Sequence, residues 1–309
     1  MNKKIIIQHS VSSLILLAMV AAAQLSGKNE IIFPEMVALI TGFWLSEKPP
    51  WRAGTVKIVA LMTICALFGV LLARMEFPLL GKVAVGYVAV AVILVAFRVT
   101  LYPIISACIL PVMLGTDDFF YVGVVFTLTL ILVVGRLLLT RLNILPEDET
   151  PWDDPEPGVK DLVIWLVTIV VLLVYAAYPL TYGNPYFIAP PLIVAYTAMM
   201  RPDCPLLKTP VKTMGMMILC AVTGFLARFL LVEWLGLPLI VSAGAALLLY
   251  FVYMALLKLR HPPAGAALFL PFLLPAAGLK TYPLAMAVST VSLTAICFIW
   301  QGLMNINKD

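Results

Sequence analysis

The residues best suited to chemistry run from Arg260 to Pro275, RHPPAGAALFLPFLLP, where a cation, a histidine and two prolines open an otherwise apolar segment. Pro262 and Pro263 lack N–H groups and hold φ in the helical range, so they predict a helix that starts there. Ala264, Gly265, Ala266 and Ala267 leave its first turn bare, which lets another helix or a small solute reach the backbone. A helix N-terminus is the positive end of a dipole, and Lys258, Arg260 and His261 add charge at its mouth. The chemistry on offer is the binding of a small anion. His261 is either a group that titrates near neutral pH or a cap on the helix. Pro271 and Pro275 each remove an intrahelical hydrogen bond, and in lipid such a break persists only where protein or a water-filled cavity takes up the freed carbonyl.

Three other apolar segments carry an early proline: Pro34 beside Glu35 in IIFPEM, Ala189-Pro190-Pro191 in YFIAPPL, and Pro103 in LYPIIS. Proline-interrupted segments at corresponding places in two halves of a chain point to a transport site. Glu35 is the one carboxylate inside a segment; it offers a site for a cation or a proton, or it snorkels to the surface. Lys57 and Lys212 either line the inner vestibule or anchor helix ends.

The HPPAGAAL stretch at 261–268 resembles the signature of the HPP integral membrane proteins, a family named for its His-Pro-Pro. The resemblance extends upstream through Ala189-Pro190, the loop bracketed by Pro205 and Pro210, Gly215, and Ala221-x-x-Gly224, covering roughly residues 185–280. It implies a helical membrane fold and, from members with an assigned role, nitrite transport. The first half keeps Pro103 and Pro111 but has Leu101-Tyr102 in place of His261-Pro262 and Ile105 in place of Gly265. The second half is therefore expected to dominate the site.

The chain that must position these residues has 309 residues, 63% hydrophobic and 12% charged, with a mean hydropathy of +1.06. That is far too apolar for a soluble protein of this length. Its bases are scattered and the net charge is only +4, which argues against nucleic acid as a partner. Five cysteines form no C-x-x-C pair, so neither disulfides nor a metal site are expected. The chain has no HExxH, no Ser-His-Asp order that its two histidines could support and no Walker loop, which argues against hydrolytic, metal and ATP-driven chemistry and implies no cofactor.

Apolar runs of membrane-crossing length, roughly 17 to 25 residues, predict an all-α polytopic fold of about ten to twelve segments. The proline-bearing second, fifth, eighth and eleventh are half-helices or re-entrant. Alternating sides places only Lys28, Arg74, Lys82, Arg228 and Lys280, five of the 20 Lys and Arg, opposite the N-terminus. The positive-inside rule then makes both termini cytoplasmic, in a cell (inner) membrane. Residues 142–160, acidic and proline-rich, read as a cytoplasmic linker between a first repeat (1–141) and a second (161–309). A shift of 155 gives eight identities over positions 50–74, among them Cys65 with Cys220 and Gly69 with Gly224; after a five-residue insertion Pro103 meets Pro263 and Pro111 meets Pro271. Six segments per copy predict two halves of like orientation.

Together these readings give a transporter or channel-like permease for a small solute, an anion such as nitrite by resemblance, in a bilayer and compatible with a homo-oligomer. It is not an enzyme on this reading. Two rivals remain open, a membrane-embedded enzyme acting on lipid or isoprenoid substrates and a non-transporting scaffold subunit.

Overall fold

The computed structural model describes residues 3–46, 48–147, 158–202 and 204–306. The linker residues 148–157 lie outside that set. Eight helices are long and apolar enough to cross a bilayer: α1 (Lys3–Ser26), α3 (Thr55–Arg74), α4 (Leu79–Ala96), α6 (Phe120–Arg141), α7 (Val159–Tyr182), α9 (Pro210–Leu226, continued as a π-helix over Ala227–Trp234), α10 (Leu239–Leu257) and α13 (Tyr282–Ile306). The protein is an all-helical, multi-pass membrane protein. Four shorter apolar helices lie between them: α2 (Glu35–Ile40, continued as a π-helix over Thr41–Leu45), α5 (Pro103–Leu114), α8 (Pro190–Met199) and α11 (Pro262–Phe269, with a 3₁₀ turn Leu270–Phe272). A one-turn helix, α12 (Ala276–Leu279), precedes α13.

Of the expected ten to twelve segments, eight are long enough to cross a bilayer, and four short helices stand in the proline-bearing places. At 12 residues, α5 rises only about 18 Å, against a hydrocarbon core of about 30 Å. Burial divides the two kinds. Every described residue of α2 and α11, and α5 from Pro103 to Val112, is buried, whereas the long helices keep exposed apolar faces such as Leu14, Val92, Val174 and Leu248. Four short helices therefore form an inner layer and eight long ones a lipid-facing sheath. Only the sheath can present apolar side chains to acyl chains, and only inside protein is irregular backbone tolerated at membrane depth.

Contacts fix which ends share a face. His9 in α1 packs edge-on against Phe251 near the end of α10, ring centroids 4.8 Å apart, and Gln24 at the other end of α1 accepts from the Ile240 amide at 3.2 Å. Gln8 donates to the Ile144 carbonyl just past α6 at 3.1 Å, and Gln301 near the end of α13 donates to the Met199 carbonyl at 3.2 Å. The starts of α1, α3 and α9 and the ends of α4, α6, α10 and α13 gather on one face, so the chain crosses back through each short helix and its irregular flanks.

The contacts between elements recur in pairs. α1 packs on α10 and α7 on α4; α2 packs on α11 and α8 on α5. A Cβ on Gly69 would collide with the Cys108 carbonyl and one on Gly224 with the Leu268 carbonyl, so both glycines permit the backbone-to-backbone approach of α3 to α5 and of α9 to α11. Arg98 (φ 54°) and Lys258 (φ 50°) both end a helix in the left-handed region.

The ends and breaks of the inner helices are satisfied by side chains from the sheath. Pro111 and Pro271 have no N–H for the carbonyls of Ala107 and Ala267, four residues back. The Tyr121 hydroxyl donates to Ala107 at 3.1 Å and the Tyr282 hydroxyl to Ala267 at 2.7 Å. Arg228 Nη1 donates to the carbonyls of Pro271 (2.6 Å) and Leu274 (2.7 Å). At the C-terminal ends, Arg136 donates to the Phe43 carbonyl and Trp300 Nε1 to that of Met200 at 3.2 Å. Orphan carbonyls at a buried helix end need such partners.

Candidate functional site

A cavity of about 930 Å³ opens on the face that both described chain ends share, where loops 46–54, 97–102, 200–209 and 258–261 meet. That is the size of a small-molecule pocket, roughly 300 to 1,000 Å³. Its lining includes Lys48, Arg52, Arg201, Lys258 and Arg260 with the hydroxyl-bearing Ser46, Thr100 and Tyr102, and among the described lining residues there is no Asp or Glu. Concave walls of low dielectric lined by one sign of charge concentrate the opposite ion.

The loops hold these cations in place. Arg52 N–H donates to Thr100 Oγ1 at 2.8 Å and the Thr100 amide to the Arg52 carbonyl at 3.2 Å, which ties the α3 approach to the α4–α5 turn. The Arg201 guanidinium lies 3.9 Å from the centroid of the Trp165 ring, and its carbonyl accepts from Gln301. Arg260 Nη1 rests 3.5 Å from Met254 Sδ. Stacking on an aromatic face and packing along a thioether hold a cation without neutralising it.

The residues expected at the site divide between this cavity and the core. Pro262 and Pro263 line the cavity; Pro103 is buried behind its lining neighbour Tyr102. Ala264 and Gly265 are buried one turn on, where a Gly265 Cβ would lie 2.8 Å from Val37 Cγ1 and 2.9 Å from the Tyr250 hydroxyl. Ala189, Pro190 and Pro191 are buried at the start of α8, and Pro34 and Glu35 at the start of α2; none of these five lines the cavity. Lys212 is exposed outside it, and Lys57 instead donates to the Phe97 carbonyl at 3.1 Å, so both are helix-end anchors.

Two expectations change. His261 does not add charge at the mouth: it turns inward, wholly buried, beside a second cavity of about 10 Å³ with Thr213, Met217 and Thr290. Both its ring nitrogens and Thr290 Oγ1 lack protein partners. The space is roughly that of one water. Nor do first-turn amides face a solute. Pro262 and Pro263 have none, and Ala264 N–H donates to the His261 carbonyl at 3.0 Å; in α5 the Ile104 and Ile105 amides are likewise bonded to Leu101 and Tyr102. The positive character of the cavity comes from side chains.

Glu35 does not snorkel. It is 1% exposed, its Oε1 accepts from Ser106 Oγ of α5, and its Oε2 has no partner. Sequence reading assigned Lys48, Arg52 and Arg201 only to topology and passed over Ser106. The available signal was that Lys48-Pro49-Pro50 and Arg201-Pro202 each join a basic residue to proline in a short polar loop between apolar runs.

Compared with protein-family models, curated proteins and solved structures, the chain matches none.

Proposed function

We propose that the protein is a permease for a small anion, a carrier or channel rather than an enzyme, which admits its solute through the basic cavity. The observation that carries this reading is five cationic side chains around one cavity of about 930 Å³, with no described acid among them. The proposal includes the internal repeat, 1–141 and 161–309 joined by 142–160, with both halves oriented alike. Support comes from the cavity itself, because equivalent loops of the two halves border it together. Further support comes from the paired contacts of Gly69 and Gly224 and of Tyr121 and Tyr282. In this reading the four inner helices, all started by proline and two of them, α5 and α11, interrupted by a second one, are the parts that rearrange during transport. The excess of Lys and Arg on the cavity face supports reading it as cytoplasmic, together with both termini, in a cell membrane. The resemblance of HPPAGAAL to the HPP family supplies nitrite as the first solute to try.

The test is uptake by reconstituted vesicles offered nitrite, nitrate, formate or chloride. The reading expects saturable uptake of at least one, slowed by Gly265→Leu, whose side chain must displace Val37 and Tyr250 where α11 meets α2. Indifference to all four removes it.

A further inference from the structure

The inner layer holds one carboxyl, and nothing in the anion reading so far uses it. Glu35 opens α2, and Ser106 lies in the first turns of α5. The Ser106 hydroxyl bond to Glu35 Oε1 joins these two short helices to each other. Each of them also borders the basic cavity: α2 runs on through its π-helix to Ser46, and α5 starts just after Tyr102, and both of these residues line it. Ser106 is four residues beyond Tyr102, a rise of about 6 Å. The carboxyl thus sits a single side-chain bond behind a residue about one helical turn from the cavity.

Around it the surroundings are neutral. Of the titratable groups near it, Tyr121 from α6 and Tyr282 from α13 have their hydroxyls committed to the Ala107 and Ala267 carbonyls. Among the described residues no Lys, Arg or His pairs with it. A sodium ion needs several converging oxygen ligands and room to sit among them, and Glu35 lines neither cavity described above. A carboxylate left ionised at such a place has no counter-ion, whereas a proton needs only the one free oxygen that Glu35 has, Oε2. The second half has Pro190-Pro191 where Glu35 stands and Ala266 where Ser106 stands, so the site is single.

We propose that Glu35, positioned by Ser106, binds the proton that moves with each anion, making the permease an electroneutral anion–proton symporter. This rests on the permease reading and adds its coupling ion. In each cycle one proton joins Glu35 Oε2 from one side and leaves to the other, and the carboxylate is bare only while the anion site is empty.

Two measurements separate this proposal from its premise. The first needs no transport. The infrared difference spectrum of wild type minus Glu35→Gln at neutral pH is expected to contain the C=O stretch of a neutral carboxylic acid, and Ser106→Ala is expected to shift that band. A spectrum with no such band overturns the assignment of the proton to Glu35. The second uses vesicles with a trapped pH indicator and an inward nitrate or chloride gradient, anions whose conjugate acids do not form near neutral pH. Wild type is expected to move one proton per anion, and in Glu35→Gln the ratio of protons to anions falls to zero. An unchanged ratio in Glu35→Gln, or wild-type anion flux with no proton or with sodium instead, overturns the coupling while the permease reading stands. Absence of flux for every anion removes the permease reading and the coupling together, and the infrared band still decides whether Glu35 holds the proton.

Discussion

The proline breaks at Pro111 and Pro271 make a quantitative prediction about what keeps the inner helices intact. Each proline frees the carbonyl four residues back, and each freed carbonyl is taken by one tyrosine hydroxyl from the sheath, Tyr121 to Ala107 and Tyr282 to Ala267. Both tyrosines are buried, so no bulk water replaces a lost hydroxyl. Tyr121→Phe removes the donor at almost constant volume and leaves a buried acceptor unpaired, at a cost of about 1–3 kcal/mol. Tyr282→Phe, which breaks the shorter bond of 2.7 Å against 3.1 Å, belongs at the upper end of that range. Pro111→Ala returns an N–H to α5 and with it an intrahelical partner for Ala107. In that background Tyr121→Phe is therefore nearly free, and the cycle shows a coupling of about 1 kcal/mol or more, beyond the roughly 0.3–0.5 kcal/mol within which independent sites add. The packing lost with the proline ring against Gly69 appears in both arms of the cycle and cancels. Reversible unfolding in lipid–detergent micelles measures all four proteins. Additive losses would falsify the claim that the tyrosines exist to repair the breaks.

Three further outcomes follow from the packing and the basic face. Gly224→Ala drives a Cβ into the Leu268 backbone and is expected to cost about 1–3 kcal/mol, whereas Gly302→Ala, which meets nothing within 4 Å, stays within about 0.5 kcal/mol; equal melting of the two contradicts the close approach. His261→Leu removes two unpartnered nitrogens from the core and is expected to leave stability within about 1 kcal/mol of wild type; a loss above 2 kcal/mol reveals a bound partner in the small cavity beside it. Cys204 is the one cysteine in the cavity lining, so a water-soluble thiosulfonate is expected to label it ahead of the buried Cys65, Cys108, Cys220 and Cys297, with an anionic reagent faster than a cationic one. Burial pushes the Cys204 thiol up, so its labelling rate keeps rising with pH above the range of an exposed cysteine; a rate blind to reagent charge contradicts the cationic lining.

Much of the architecture was legible because membrane spans follow from length and hydropathy, and because prolines mark helix starts. Pro103, Pro190-Pro191 and Pro262-Pro263 open α5, α8 and α11 as their chemistry requires. The need for something to take up the carbonyls freed by Pro111 and Pro271 was also legible. The supplier was not, since Tyr121 and Tyr282 lie 14 and 15 residues from those carbonyls, in other helices. His261 was misplaced because a helix N-cap fixes where a backbone turns and leaves the side chain's direction to its neighbours; Thr213, Thr290 and Met217 lie on α9 and α13. The amide site failed for a reason available in the sequence: the prolines that start the helices also remove the N–H groups an anion would need. Glu35 was left between surface and core because snorkelling depends on depth, and depth depends on the short α2 being surrounded on all sides.

The central claim, that cavity charge admits an anion, is tested most directly by initial anion uptake in vesicles as Lys48, Arg201, Lys258 and Arg260 are changed to Gln one after another. The account predicts a stepwise fall for the transported anion that steepens at low ionic strength, where screening is weakest. An uptake rate that stays constant through the series, with the protein still folded, would contradict it.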